Sequence, residues 1–375
     1  MIFNDFKGLK LSSLGLGCMR FPTKGENNEI DKDKTAEMID FCIKSGINYF
    51  DTAWGYHEGK SEIILGELLN KYPRDSFYLA SKFPGFDSAN ISKVKEIFQK
   101  QLEKCRTEYF DFYLFHNVCE MNVNEYLDPQ YGILEHLLEQ KKLGKIKHLG
   151  FSSHGNIETM EKFLKAFGDE MEFCQIQLNW LDWSLQNAKA KLELLEKYNI
   201  PVWVMEPLRG GKLCNLDEKH SQKLAFASAN MNATEWSFRF LQKFPNVKVV
   251  LSGMSNMEQL KENIGIFSEF KPLNESETET ILSVAKDIIS VNTVHCTSCR
   301  YCTDHCPKEL NIPWLLELYN ESINFGNGFM IPMAMNSVDD DKKPTACISC
   351  RACEAVCPQN IKISEVFKTF SSLIK

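Results

Sequence analysis

The stretch YFDTAWGY, residues 49–56, ends a short apolar segment with an acid and continues into a loop that carries a phenol. Such a segment predicts a buried strand followed by a turn, with Asp51 at the end of the strand and Tyr56 in the loop. Two later apolar segments also end on ionisable residues, YLASK on Lys82 and FDFYLFH on His116. Because the carboxyl ends of the strands carry the chemistry in barrels of alternating strands and helices, we expect these four side chains to meet at one mouth.

Strand-like segments alternate with helix-like segments from about residue 14 to about residue 270. The strand-like segments are LGLGCM (14–19), INYF (47–50), FYLAS (77–81), FDFYLFH (110–116), KHLGFS (147–152), FCQIQL (173–178), VWVMEP (202–207) and VKVVLSG (247–253). Eight strand-then-helix units predict an α/β fold with parallel strands, and they fit a closed (β/α)8 TIM barrel better than an open sheet. An open sheet would normally carry GxGxxG after its first strand, and LGLGCMRF lacks that motif.

The four ionisable residues complement one another chemically. A free phenol has a pKa near ~10, too high for efficient proton transfer at neutral pH, and a nearby ammonium lowers that pKa. A carboxylate would hold the ammonium charged, and a neutral imidazole would orient a carbonyl oxygen. Taken singly, the acid could cap a turn, the phenol and the lysine could be solvated, and the histidine could belong to the core. Together, at successive strand ends, they indicate a proton-transfer site.

Eight of the fourteen cysteines form two closely spaced groups near the C-terminus. Each group follows C-x2-C-x2-C-x3-C and is followed by proline; the groups are Cys296, Cys299, Cys302 and Cys306, and Cys347, Cys350, Cys353 and Cys357. This is the ferredoxin spacing for [4Fe–4S] clusters, in which the last cysteine of each group ligates the other cluster. A zinc ribbon usually takes two CxxC pairs separated by a longer loop. The spacing therefore favours two iron–sulfur clusters in a small, α-helical, ferredoxin-like domain.

The bulk properties exclude several classes of protein. A net charge of −7 argues against a general nucleic-acid surface, which needs a basic excess. The first residues lack the basic start and apolar core of a secretory signal, and no apolar run reaches the ~18 residues that a spanning helix requires. We therefore expect a cytoplasmic protein without nucleic-acid or membrane partners. A change in composition predicts a barrel domain at 1–270, a helical linker at 271–291 with Ser276 and Glu279 at capping-box spacing, and a cluster domain at 292–375.

From Leu11 to about Phe270 the sequence resembles the aldo-keto reductases. The resemblance rests on FDTAWGY followed by GKSE, on the lysine of SKFP and on DFYLFHN. It implies that Tyr56 donates a proton to a carbonyl that takes hydride from a nicotinamide, that Lys82 and Asp51 tune this phenol, and that His116 orients the substrate. The cysteine-rich tail resembles the ferredoxin-type extension of one branch of the family.

Further matches imply where a nicotinamide dinucleotide would bind, namely GFSSHG, QIQLN, MEPLRGG and SGMSNMEQLKEN. The implied cofactor-binding residues are Ser152, Ser153 and Gln175 at the carboxamide, Met205 at the nicotinamide ring, Leu208, Arg209 and Gly210 along the pyrophosphate, and Ser255, Gln259, Glu262 and Asn263 towards the adenosine. Gly253 and Gln259 occupy positions where many relatives carry basic residues for a 2′-phosphate, and neither can form charge-assisted bonds to one. The cofactor is thus expected to be NADP or NAD, with NADH favoured.

Hydride transfer moves two electrons, whereas a [4Fe–4S] cluster moves one at a time, so coupling them would need an intermediary such as a flavin. The chain carries no flavin fingerprint, although barrels can bind FMN through loops after their last strands. The leading hypothesis is an oxidoreductase for small carbonyl or alcohol substrates whose clusters relay electrons to a redox partner protein or brace the C-terminal domain. The alternatives are an electron-transfer subunit whose barrel binds nucleotide or a partner, and a small flavin-containing, ferredoxin-linked reductase.

Overall fold

The computed structural model describes residues 1–25, 29–294, 296, 299–328 and 330–374, without the side chains of 290–292 and 330. The chain divides into two units, Met1–Leu282 and Ser283–Lys375. Among the helices within the described ranges, none is both long and apolar enough to cross a membrane.

The first unit contains a closed barrel of parallel strands. Its eight strands are β3 (Leu14–Gly17), β6 (Tyr49–Asp51), β7 (Tyr78–Phe83), β8 (Phe110–Val118), β9 (Ile146–Ser153), β10 (Cys174–Gln177), β11 (Val202–Met205) and β12 (Val247–Ser252). They follow one another around the barrel in chain order, and β12 pairs with β3 to close it. Each lies within or overlaps a strand predicted above, so the predicted α/β barrel is confirmed.

Two hairpins accompany the barrel, β1 (Phe3–Phe6) with β2 (Leu9–Ser12) and β4 (Thr23–Lys24) with β5 (Glu29–Ile30). Phe6 on the first hairpin packs its ring against Phe112 and Trp203, with centroids 5.7 and 5.1 Å away. These rings belong to one buried core cluster with Phe173 and residues of several other barrel strands. The first hairpin therefore fills one end of the barrel with apolar rings and leaves the other end for polar groups.

Helices follow the strands, and several of them begin where a polar side chain accepts a main-chain N–H. Asp31, Asn156, Asn232 and Asn256 each accept from the residue three positions ahead, which fixes a helix start. The α-helices from the start of the chain to the one that follows β12 are α1 (Lys32–Lys44), α2 (Ser61–Leu69), α3 (Val94–Lys104), α4 (Val123–Leu127), α5 (Ile133–Lys142), α6 (Ile157–Phe167), α7 (Asp182–Leu185), α8 (Ala188–Lys197), α9 (Glu218–Ala227), α10 (Ala233–Leu241) and α11 (Met257–Ile266).

The next helix, α12 (Glu275–Asn292), spans the boundary between the two units. Its capping box is formed by Asn274 and Glu277, whose side chains accept each other's main-chain N–H. The predicted pair Ser276 and Glu279 was wrong by two residues, because asparagine caps a helix as well as serine does and lies earlier in the chain.

The second unit is helical. It contains α13 (Ile312–Phe325), α14 (Met330–Asn336), α15 (Ala352–Ala355) and α16 (Ile363–Leu373). Leu315, Leu316, Phe367 and Phe370 from α13 and α16 lie in one buried cluster that also includes Cys302 and Cys353. The packing of these two helices thus places cysteines from both groups at the same core, as the predicted small α-helical domain requires.

The packing of α2 gives a stability prediction. A Cβ at Gly66 would lie 2.5 Å from the carbonyl carbon of Cys105, whereas a Cβ at Gly265 of α11 would meet nothing within 4 Å. Gly66→Ala is expected to lower the free energy of unfolding by ~1–3 kcal/mol through overpacking, and the control Gly265→Ala to leave it unchanged or raise it by ~0.5–1 kcal/mol. Urea unfolding followed by tryptophan fluorescence measures both. Equal effects of the two changes would contradict the packing shown by α2.

Candidate active site

The structure brings the four predicted ionisable residues together. Asp51 is the last residue of β6, Lys82 lies near the end of β7 and His116 lies near the end of β8. These strands are neighbours in the barrel, and Tyr56 lies in the loop that follows Asp51. All four side chains therefore lie at the carboxyl ends of adjacent strands.

Lys82 is the centre of this group. Its Nζ donates to Asp51 Oδ1 at 2.6 Å, to the carbonyl oxygen of Thr52 at 2.8 Å and to Tyr56 Oη at 3.4 Å. The side chain has no exposed surface, and that of Asp51 is 3% exposed. Because an ammonium has three donors, these three contacts use its full capacity and fix its direction.

Burial and the neighbouring charges oppose each other at this centre. Burial lowers the pKa of Lys82, but Asp51 and Tyr56 outweigh it and hold that pKa above its usual value, so the ammonium stays charged. Burial raises the pKa of Tyr56, and the attraction of Lys82 offsets only part of this rise. The phenol is therefore protonated at neutral pH. The lowering of its pKa by Lys82 occurs as expected from the sequence, but it is smaller than the effect of burial.

His116 faces Tyr56 as a neutral imidazole. The two rings meet edge to face with centroids 6.1 Å apart, and Phe86 contacts the His116 ring at 5.1 Å. Burial, the Lys82 charge and His154 hold the pKa of His116 well below its usual value. Among the described residues none forms a hydrogen bond with its buried Nδ1. A neutral histidine with a ring nitrogen left over can bond a substrate oxygen.

The loop that carries Tyr56 is tied to the barrel by hydroxyl groups. Ser61 donates to the carbonyl oxygen of Cys18 at 2.9 Å, and its Oγ lies 2.9 Å from Thr52 Oγ1. Because the Ser61 proton goes to Cys18, Thr52 is the donor to Ser61. Both ends of the loop are thereby anchored, which explains the serine of the GKSE segment.

The glutamate of GKSE, Glu62, anchors the strand that carries Lys82. Its carboxylate accepts from Ser81 at 2.7 Å, from Gln101 at 2.6 Å and from Lys104 at 2.9 Å. Gln101 also donates to the carbonyl oxygen of Lys82 at 3.0 Å. Neither Glu62 nor Gln101 was predicted to have a role, although Glu62 belongs to the GKSE segment quoted above.

The residues predicted at a nicotinamide carboxamide lie on adjacent strands. Ser152 and Gln175 are paired in register between β9 and β10. Gln175 Nε2 donates to Met205 Sδ at 3.6 Å, and within the described part of the chain its buried Oε1 has no donor. A buried amide oxygen without a donor fits the N–H2 group of a carboxamide. Ser153, by contrast, donates to the carbonyl oxygen of Val118 and accepts from the Gly155 N–H.

The loop after β11 contains Leu208, Arg209 and Gly210, which were predicted along a pyrophosphate. The Arg209 guanidinium is buried and bonded to Asp182, with Nε at 2.8 Å and Nη2 at 2.7 Å from its carboxylate oxygens. Asp182 also accepts from Asn179 at 2.6 Å. The Arg209 side chain thus braces the loop, while Gly210 and Gly211 adopt φ values of 66° and 92°, a path that favours glycine.

The residues predicted towards the adenosine lie around the start of α11. Gln259 Oε1 accepts from the Ser255 N–H at 2.9 Å, and Ser255 Oγ donates to the carbonyl oxygen of Arg20. Asn263 is buried and donates to Ser252 Oγ at 3.1 Å, and Glu262 accepts from an amide N–H at 2.7 Å. These residues lie at the loop after the last barrel strand, next to the loop after β11.

The second unit contains two cavities lined by thiols from both cysteine groups. The first is lined by Cys296, Cys299, Cys302 and Cys357 and has about 310 Å³ of empty space, counting space open to solvent. The second is lined by Cys306, Cys347, Cys350 and Cys353 and has about 330 Å³, counted in the same way. Each cavity therefore takes three cysteines from one group and the last cysteine of the other, which is the crossed arrangement that the spacing predicts for two [4Fe–4S] clusters.

The thiols in these cavities disfavour each other's ionisation. Burial and the nearby Cys296, Cys299 and Cys357 raise the pKa of Cys302 to about 11. Burial and Cys306 raise the pKa of Cys353 to about 12. Metal ligation needs thiolates, and the positive charge of bound iron would stabilise them. Within the described ranges no three His, Cys, Asp or Glu side chains form a site for a single metal ion. The four thiols that line each cavity match the number of cysteine ligands of a [4Fe–4S] cluster.

Two family models match this chain, one over each of two ranges. Residues 13–286 match the model of the Aldo/keto reductase family. The chain belongs to this family. Residues 295–361 match a 4Fe-4S dicluster domain, so this reductase chain carries a second, cluster-type module after its barrel.

Among curated relatives, the uncharacterized oxidoreductase YqkF of Bacillus subtilis is 27% identical over 313 residues, which are 75% of this chain and 95% of that protein. The NADH-specific methylglyoxal reductase of Escherichia coli is 24% identical over 300 residues, which are 68% of this chain and 90% of that protein. The solved aldo-keto reductase AKR11C1 of Bacillus halodurans shares the fold, with a TM-score of 0.63 and 24% identity over 76% of this chain and 96% of that one.

The buried pair of Lys82 and Asp51 gives a prediction for stability. Lys82→Met leaves the Asp51 carboxylate buried without its ammonium and is expected to lower the free energy of unfolding by ~3–5 kcal/mol. Adding Asp51→Asn removes that charge and should restore part of the loss. Thermal unfolding of the two variants measures the difference. A double variant less stable than Lys82→Met would contradict this account of the pair.

The crossed cavities predict an unequal outcome for two double variants. Cys302→Ser with Cys357→Ser changes two thiols of one cavity and is expected to remove about four of about eight irons. Cys353→Ser with Cys357→Ser changes two thiols of one sequence group but of different cavities, and should damage both clusters. Iron content and the electron paramagnetic resonance of the reduced proteins measure both. The reverse order, with more iron lost from the first variant, would exclude crossed ligation.

Proposed function

We propose that the barrel interconverts a carbonyl and an alcohol with NAD(P)H, with Tyr56 as the general acid and base. The observation that supports this most directly is the contact of Lys82 with both Asp51 and Tyr56, at 2.6 and 3.4 Å. A buried ammonium bonded to a phenol, beside a neutral imidazole, matches what proton transfer to a carbonyl oxygen requires.

When bound, the nicotinamide supplies the hydride that reduces the carbonyl carbon. Tyr56 gives its proton to the carbonyl oxygen as negative charge develops there, and Lys82 stabilises the resulting phenolate. Asp51 keeps the ammonium in place, and a ring nitrogen of His116 bonds the same carbonyl oxygen and orients it. In the reverse direction the Tyr56 phenolate takes the proton of the alcohol.

The cofactor would lie across the loops after β9 to β12. Gln175 and Ser152 would bond its carboxamide, since the Gln175 Oε1 has room for a donor. Gln259 is uncharged and already holds the Ser255 N–H, which favours NADH over NADPH. An NADH-specific methylglyoxal reductase among the relatives is consistent with this preference and with a small carbonyl substrate.

The second unit would hold two [4Fe–4S] clusters through the eight cysteines of the two cavities. The clusters would pass single electrons to or from a redox partner protein, or would brace the domain. The two roles separate by experiment, because electron relay requires that the clusters change oxidation state during turnover.

Tyr56→Phe tests the catalytic proposal. Removing the phenol hydroxyl is expected to lower kcat for NADH-dependent carbonyl reduction by ~10²–10⁴-fold, with little change in NADH affinity. Tyr78→Phe, at the other end of β7, is the matched control and should keep full activity. Because burial raises the pKa of Tyr56, the wild-type reduction rate should stay level through neutral pH and fall only at alkaline pH. A Tyr56→Phe rate within a few-fold of wild type would exclude this role.

A further inference from the structure

The Arg20 side chain extends from the loop after β3, past the loop after β12, to the loop after β11. It follows β3, and a Cβ at Gly253, just after β12, would lie 3.0 Å from its Cδ. A Cβ at Gly210, in the loop after β11, would lie 3.0 Å from its Nη2. The guanidinium therefore lies beside the loop after β11, and the aliphatic part of the side chain lies against the loop after β12.

These two loops are where barrels of this type commonly bind phosphate groups. β11 and β12 are the seventh and eighth strands of the barrel, and loops after the last two strands frequently form a phosphate site. The glycines at 210 and 253 leave room for Arg20, since a Cβ at either position would lie only 3.0 Å from its side chain and would crowd it.

Arg20 and Arg209 differ in how their charges are paired. The Arg209 guanidinium, in the same loop as Gly210, is bonded to Asp182. Gln259 is neutral and holds the Ser255 N–H. The Arg20 side chain is 45% exposed, and its Nη2 contacts Glu206 at 3.5 Å, a long ion pair with a carboxylate that is 31% exposed. A pair of this length and exposure contributes little, so a phosphate can replace the carboxylate.

The Arg20 main chain is held in place independently of its charge. Ser255 Oγ donates to its carbonyl oxygen at 2.9 Å. A change of the Arg20 side chain can therefore remove the guanidinium without releasing the loop after β12 from the loop after β3.

We propose that Arg20 binds the pyrophosphate of the dinucleotide and leaves Glu206 when it does so. This inference rests on the proposed function. Arginine suits the task because its planar group can bond two phosphate oxygens at once. The pyrophosphate is favoured over a 2′-phosphate because the Nη2 atom lies beside Gly210, whereas the hydrocarbon part of Arg20 lies beside Gly253, one of the two positions that the family resemblance implies for a 2′-phosphate.

Calorimetric titration of the full-length, cluster-loaded protein with NADH, NADPH, ADP and adenosine tests the proposal. Arg20→Gln is expected to weaken NADH, NADPH and ADP by about 10- to 100-fold alike, and to leave adenosine binding unchanged because adenosine has no phosphate. Glu206→Gln should tighten the same three ligands, since it removes the competing carboxylate. Lys10→Gln, which makes the same charge change on β2, is the control and should change none of them.

Several outcomes would overturn the assignment. Unchanged NADH and ADP affinity in Arg20→Gln, with the wild-type melting temperature retained, would show that Arg20 does not bind the pyrophosphate. A loss confined to NADPH would assign Arg20 to the 2′-phosphate instead. A wild-type protein that binds neither NADH nor NADPH would refute the proposed function itself. That result is distinct from the failure of this assignment, in which the wild-type protein binds the dinucleotides and Arg20→Gln binds them equally well.

Discussion

The mouth of the barrel depends on one buried ion pair, Lys82 with Asp51 at 2.6 Å. The Lys82 side chain has no exposed surface and that of Asp51 is 3% exposed, so each charge depends on the other for its stability. This mutual dependence fixes the direction of the ammonium towards Tyr56. The rest of the mouth supports the pair: Ser61 and Thr52 hold the loop between Asp51 and α2, and Glu62 with Gln101 holds the strand that carries Lys82. The contact between Lys82 and the Tyr56 hydroxyl therefore depends on how the ammonium of Lys82 is buried.

Much of the barrel and the group of four residues could be predicted from the sequence because both are expressed in short, local patterns. An apolar segment that ends on Asp51, Lys82 or His116 is visible within a few residues, and parallel strands place such endings at one edge. The cysteine spacing is equally local, and the crossed lining of the two cavities agrees with it.

The parts that could not be predicted depend on contacts between distant residues or on competing local signals. Gln101 of α3 donates a hydrogen bond to Glu62 of α2, and the sequence of neither helix indicates that these two residues are in contact. Arg20 lies beside Gly253 because β12 pairs with β3, so the first and last loops of the barrel become neighbours only when the barrel closes. At the start of α12 two overlapping capping patterns competed, and the local sequence did not decide between Asn274 and Ser276.

The crossed cysteine lining of the second unit has a consequence for assembly. Neither sequence group can complete a metal site alone. Cys306 of the first group lines the cavity of the second group, and Cys357 of the second group lines the cavity of the first. Synthesis of the chain must therefore reach Cys353 and Cys357 before either cavity has all four of its cysteines. The two clusters would therefore be assembled together. Oxidative damage to one of them would also disturb a cysteine group that supplies a ligand to the other.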